Sequence, residues 1–174
     1  LHTDATSALS AQDYAGAEAV LAQLVRRNPT TLDADFLMGL AKSGLGKWEE
    51  ARTHFEAAVK SEPKRPEPKA RLGLAYAMLN NTDGVNRQRA ELVKLDEACK
   101  GACSDAKWIA DGIALVDQAL AGPDAAAAST LAATALAPDM ARAQEPRLDP
   151  RDNISEVPGG MTAQKATDNV TLGY

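Results

Sequence analysis

Shifted against itself by 34 residues, the chain superposes Tyr14 on Trp48, Ala17 on Ala51, Leu21 on Phe55 and Pro29 on Pro63. The next block superposes Gly39 on Gly73 and Ala41 on Ala75. An internal period of this length constrains the fold more than any other feature of the sequence. Each copy is one supersecondary unit that cannot bury its apolar face alone, so copies must stack. Within a block, apolar residues recur at 3.6-residue spacing, and the run breaks midway. The breaks are SGLGKW, around Gly44 and Gly46, and LNNTDG, which ends at Gly84. The pattern predicts helix, tight turn, helix, repeated.

Composition agrees. Aromatic residues make up only 4% of the chain while alanine is abundant, which suits closely packed helices better than a sheet. The formal net charge is −5, and no basic cluster is large enough to follow a phosphate backbone, so nucleic-acid binding is not expected. No apolar run approaches the roughly 20 residues that span a bilayer. The nucleophile-elbow and phosphate-loop motifs are absent, and no His/Asp pairing suggests catalysis, so the expectation is a non-enzymatic chain without cofactor or metal. A first residue other than methionine suggests processing of a longer chain.

These residues resemble the tetratricopeptide repeat (TPR) family. The second block, residues 32–65, carries the pattern most fully: Gly39 at the close helix approach, Gly46 in the turn, Trp48 and Phe55 in the core, Ala51 and Ala58 at the contact, Pro63 at the end. The first block, 1–31, matches through Tyr14, Ala17 and Pro29, with a short first helix. The third, 66–98, matches through Leu72, Gly73, Ala75 and Tyr76, but Val85, Arg89 and Glu97 depart from it. The fold implied is an all-α helix-turn-helix solenoid of about three repeats over residues 1–98. EPKRPEPKARLGLAYA and ACKGACSDAKWI also look similar to secreted TPR proteins of α-proteobacteria with a paired-cysteine segment. That resemblance implies a secreted, periplasmic or cell-surface location.

Residues 99–121 are read as a linked turn and capping helix. In SDAKWIADGIALVDQALAG, Ala106, Ile109, Ile113, Val116 and Leu120 form one stripe, and Trp108, Gly112, Leu115 and Ala119 form its neighbour. Ser104 or Asp105 is expected to cap the start, and Gly122 to stop the helix. An array needs such an element over its last apolar face. Cys99 and Cys103, the only cysteines, flank Gly101. A structural disulfide, free thiols and a redox or metal role all stay open. A disulfide closing so short a loop contributes about 2 kcal/mol at most and implies an oxidising compartment.

Residues 122–174 change character. An alanine-rich stretch, 124–137, is compatible with a short helix, and prolines and glycines recur beyond it. Its scattered apolar residues cannot offset the entropy of ordering, so the segment reads as a disordered tail or, when ordered, as one lying against a surface. Leu148, Ile154, Val157, Val170, Leu172 and Tyr174 are the candidate docking residues, with Val170, Leu172 and Tyr174 alternating as in an added strand. Asn153 and Asn169 fit the N-glycan acceptor pattern, as does Asn80.

TPR arrays present the first helix of each repeat on a concave face. By resemblance, that face here holds Phe36, Leu40 and Ser43, then Ala70, Leu74, Ala77 and Met78. This apolar lining implies an apolar peptide or helix as ligand. KSEPKRPEPKAR, residues 60–71, is expected to be a solvated inter-repeat turn. Two protein-interaction roles follow: a structural subunit whose tail docks on a neighbouring copy, giving an oligomer or fibre, and an adaptor for another envelope protein.

Overall fold

The computed structural model describes residues 1–27 and 33–122. Pro29, the alanine-rich stretch 124–137, the docking residues from Leu148 to Tyr174, and Asn153 and Asn169 lie outside the described residues.

The described chain is helical, without strands. In order the helices are α1 (His2–Ser10), α2 (Tyr14–Arg27), α3 (Ala34–Gly44), α4 (Trp48–Ser61), α5 (Pro66–Met78), α6 (Thr82–Cys99) and α7 (Ala106–Leu120). Each helix packs on the next; α1 also packs on α3, and α5 on α7. The odd-numbered helices therefore form one layer and the even-numbered helices the other. This is an all-α helix-turn-helix solenoid, as the repeat period predicts. No described helix is long and apolar enough to cross a membrane.

The turn inside each helix pair is the same turn three times. Gln12, Gly46 and Asn80 all have positive φ, at 59°, 73° and 57°. After each, the backbone N–H of Asp13, Lys47 or Asn81 donates to the carbonyl five residues back, on Ala8, Lys42 or Tyr76, at 2.8–2.9 Å. A left-handed residue followed by this long reverse bond closes the open carbonyls at a helix C-terminus. The next helix then starts with a cap in two of the three cases: Asp13 accepts from the Gly16 N–H and Asn81 from the Gly84 N–H, both at 2.9 Å.

Close packing across the turns uses absent side chains. A Cβ on Gly39 would lie 2.5 Å from the Phe55 ring, which in turn packs tilted on Phe36 with centroids 6.1 Å apart. A Cβ on Gly84 would meet the Tyr76 ring at 2.5 Å, and one on Gly73 would meet Val116 at 2.8 Å. Thus Gly39 and Gly84 seat a ring of the paired helix, while Gly73 seats the capping helix. The departure at Arg89 also has a cause. Where the family pattern has a core aromatic, Arg89 faces outward, and its Nε donates to Asp117 on α7 at 2.5 Å. Val85 and Leu92 are the buried apolar residues of α6, and Leu92 lies against Gly112 on α7.

The capping helix covers the end of the array. Ile109, Gly112, Leu115, Val116 and Ala119 are buried, with Ile113 and Leu120 packed at the margin of the core. The start of α7 differs from expectation. Asp105 occupies the N-cap position but makes no side-chain cap bond, and the Ser104 hydroxyl donates to the Asp105 carboxylate instead. Between α6 and α7 the chain reverses through Lys100 and Gly101, both left-handed. Cys99 and Cys103 are joined by a disulfide across that reversal. Among the described residues no group of His, Cys, Asp and Glu side chains is arranged to hold a metal ion.

Two substitutions check this packing by urea denaturation. Gly39→Ala forces the Phe55 ring to move and is expected to lower stability by about 1–3 kcal/mol. Gln12→Gly removes the steric cost of a side chain in a left-handed position and is expected to raise stability by about 1 kcal/mol.

Candidate functional site: the inner face of α3 and α5

In a two-layer solenoid, an inner-layer helix is covered on three sides, by its neighbours in the same layer and by the outer layer. α3 has α1, α2 and α4 packed on it; α5 has α4, α6 and α7. The fourth side of each is the inner face, where a repeat array offers a ligand surface.

Along α3, residues Phe36 to Ser43 are buried without interruption, and Asp35 is the one residue clearly exposed. Along α5, every residue from Pro66 to Tyr76 is buried. A helix turns 100° per residue, so a run of this length is covered on all sides, the inner face included.

The expected groove residues divide by position. Phe36 and Leu40 are fully buried, and Ser43 is buried with its hydroxyl donating to the Leu40 carbonyl. Ala70 and Leu74 are buried as well, while Ala77 and Met78 are half-buried at the end of α5. Phe36 reaches Phe55 on α4, and Ala70 faces Gly112 on α7, where an added Cβ would be 3.2 Å away. These two residues hold helices together.

The segment read as a solvated basic turn is a correction to the sequence reading. Lys64 and Pro63 are exposed, but Arg65, Glu67, Lys69 and Arg71 are all buried. Arg65 is the centre of a charged cluster. Its guanidinium pairs with Asp33 and with Glu62 at 3.2 Å, its Nε lies 3.5 Å from Glu67, and its carbon stacks 4.5 Å above the Phe36 ring. Burial works against the Arg65 charge, but Asp33, Glu67 and Glu62 outweigh it and hold the pKa above the ordinary value. Asp33 is itself in a left-handed conformation at the start of α3. The cluster therefore ties the starts of α3 and α5 to each other, and sequence spacing gave no sign of it. Its members lie 29 to 34 positions from Asp33, so only the stacking of repeats brings them together.

Two further ionic contacts frame the face. Lys42 donates to Glu18 at 2.7 Å and to Glu50 at 2.5 Å, linking α2, α3 and α4. These bonds raise the Lys42 pKa and lower those of both carboxyls. Lys69 is less well matched. Its side chain is 5% exposed and, among the described residues, it pairs with Glu91 at 3.9 Å. Burial pulls its pKa below the usual lysine value.

Residues 8–67 match the family model described as tetratricopeptide repeat. The matched span runs from the end of α1 through α4 into the start of α5. It includes Gly39, Gly46, Phe55 and the Arg65 cluster, so the sequence match and the geometry concern the same repeat units. The architecture is a TPR-type helical solenoid. No curated protein matches the chain. TPR repeats generally mediate protein–protein interactions and are typically non-catalytic, which places protein partners first among possible ligands.

The Lys69 environment gives a signed pH dependence. A lysine whose folded pKa is depressed costs stability in full below that folded pKa. The cost falls as pH rises through it and vanishes above the unfolded value of about 10.4. Lys69→Met keeps the stem and removes the buried charge. It is expected to raise the urea midpoint at pH 7, with the gain shrinking toward pH 10.5.

Proposed function

We propose that the chain is a non-enzymatic protein–protein interaction protein and a structural subunit. Its C-terminal segment docks on the inner face of α3 and α5 of a neighbouring copy, giving an oligomer or fibre. The observation that carries this reading is the tetratricopeptide repeat match over residues 8–67 of a stacked helical array, since such repeats generally mediate protein–protein interactions. The TPR match supports a protein as the covering partner.

The C-terminal segment supplies suitable chemistry. Leu148, Ile154, Val157, Val170, Leu172 and Tyr174 are spaced apolar anchors separated by polar residues. That pattern suits an extended ligand that inserts alternate side chains into a groove. Docking of this kind that does not close on itself makes a filament, and one that closes makes a ring.

A second reading is favoured by the family match. The same face takes an apolar peptide or helix from a different envelope protein, and the chain acts as an adaptor. In both readings the Cys99–Cys103 disulfide supports an oxidising, extracytoplasmic compartment.

Light scattering and negative-stain microscopy on the full chain, beside a chain ending at Gly122, separate the two. Assembly of the full chain alone is the expected result. If both chains are monomers at every concentration tried, the self-associating reading fails and the adaptor reading takes its place.

A further inference from the structure

We propose that the Cys99–Cys103 disulfide is a thiol–disulfide exchange site. An external thiolate attacks Cys103, Cys99 leaves, and the chain carries the incoming thiol as a mixed disulfide on Cys103. The site stands apart from the repeat layers and is compatible with either interaction role.

The bond lies where packing is absent. Leu92 is the last buried residue of α6 and Ile109 the first of α7, and no residue from Val93 to Trp108 is buried. The chain therefore crosses between the helices without a core. The crossing is held by the disulfide and by backbone bonds. The N–H groups of Lys100, Ala102 and Ala106 donate to the carbonyls of Asp96, Cys99 and Cys103. A disulfide joining residues four apart constrains the unfolded chain little, so it adds little to the stability of the array. α7 is fastened independently, by buried Ile109, Leu115, Val116 and Ala119. The bond is thus placed where it can open without unfolding the repeats.

The two sulfurs are not equivalent. Cys103 is exposed, while Cys99 is half-buried at the last position of α6. Exchange needs access to one sulfur and stabilisation of the thiolate that leaves on the other. Access favours attack at Cys103. The Cys103 backbone N–H donates to the Cys99 Sγ at 3.3 Å, so the electron pair arriving on Cys99 meets a donor already in place. The carbonyl end of α6 opposes negative charge there. A direct hydrogen bond to a charged acceptor outweighs that diffuse field. The start of α7 would favour a thiolate on Cys103, but the Asp105 carboxylate sits at its N-cap and offsets the effect.

The chemistry balances with a thiol as the named co-reactant. The incoming thiolate forms a bond to the Cys103 Sγ, the S–S bond breaks, and its electron pair passes to the Cys99 Sγ. With a dithiol, the second thiolate of the reagent then attacks its own bound sulfur and frees Cys103. Two electrons have passed to the chain, the reagent is a disulfide, and its two protons are balanced by those taken up at Cys99 and Cys103.

The test uses the full chain with its disulfide intact. It is treated with reduced glutathione and, separately, with a thioredoxin whose resolving cysteine is replaced by serine. Reactions are quenched with N-ethylmaleimide and digested with trypsin, which cuts after Lys100 and places the two cysteines on different peptides. Mass spectrometry is expected to find the mixed disulfide on Cys103 over Cys99 by about tenfold, the factor given by one hydrogen bond to a thiolate. In chain reduced with dithiothreitol, amide exchange from Asp96 to Asp105 is expected to quicken about tenfold while α3 and α4 hold steady. Capture in one arm alone supports the site and assigns its co-reactant to that source, a small thiol or a protein. Mixed disulfide on Cys99 in equal or greater amount overturns the proposal, as does no capture in either arm. Loss of the helical circular dichroism signal on reduction also overturns it, because the bond would then be a staple that the array needs. None of these readouts depends on assembly, so the exchange site can fail while the proposed function stands.

Discussion

The contact between Gly39 and the Phe55 ring fixes how near α3 and α4 approach, and the rest of the array inherits that spacing. The ring occupies space a Cβ would fill, so the helix backbone itself is one wall of the core. Phe55 packs tilted on Phe36, and the Arg65 guanidinium stacks over the Phe36 ring. Arg65 reaches Asp33 and Glu67 from there, aligning the starts of α3 and α5. A short steric contact in one repeat is thus linked, through two rings and one guanidinium, to the register between repeats. Interiors are close-packed and transmit such displacements instead of absorbing them.

Much of the fold was legible because the repeat states the same constraints several times. Glycine at the helix approach, an aromatic at the seat and small residues at the contact are steric requirements, and a 34-residue offset exposes them. The turn geometry was only partly legible. Gly46 announces a left-handed residue, whereas Gln12 and Asn80 adopt the same conformation without glycine. There the array dictates the turn and local preference yields, as tertiary context overrides weak propensities. Arg89 shows the reverse error: its place in the pattern suggests a core residue, but the capping helix offers Asp117, and a charged pair at the margin replaces a ring in the core.

The candidate site was legible in its apolar part and hidden in its charged part. Phe36, Leu40, Ala70 and Leu74 were assigned to the inner layer from the resemblance to the repeat family. Arg65, Glu67, Lys69 and Arg71 looked like a solvated loop, because four charges among three prolines usually are. They are buried because Pro66 starts α5 at once, so these residues fall on a packed helix rather than on a connection. Spacing cannot show whether a charge is covered; that depends on what lies over the helix.

The same point separates matched from poorly matched buried charges in this molecule. The Lys42 bonds to Glu18 and Glu50 are matched, and they serve the α2–α3–α4 junction. Lys69 is poorly matched, with Glu91 at 3.9 Å and a pKa pulled down by burial. A buried ammonium at that distance from its carboxylate recovers little of its desolvation penalty, so Lys69 is a cost to the fold. The Gly39–Phe55 packing supplies stability against which that cost is met.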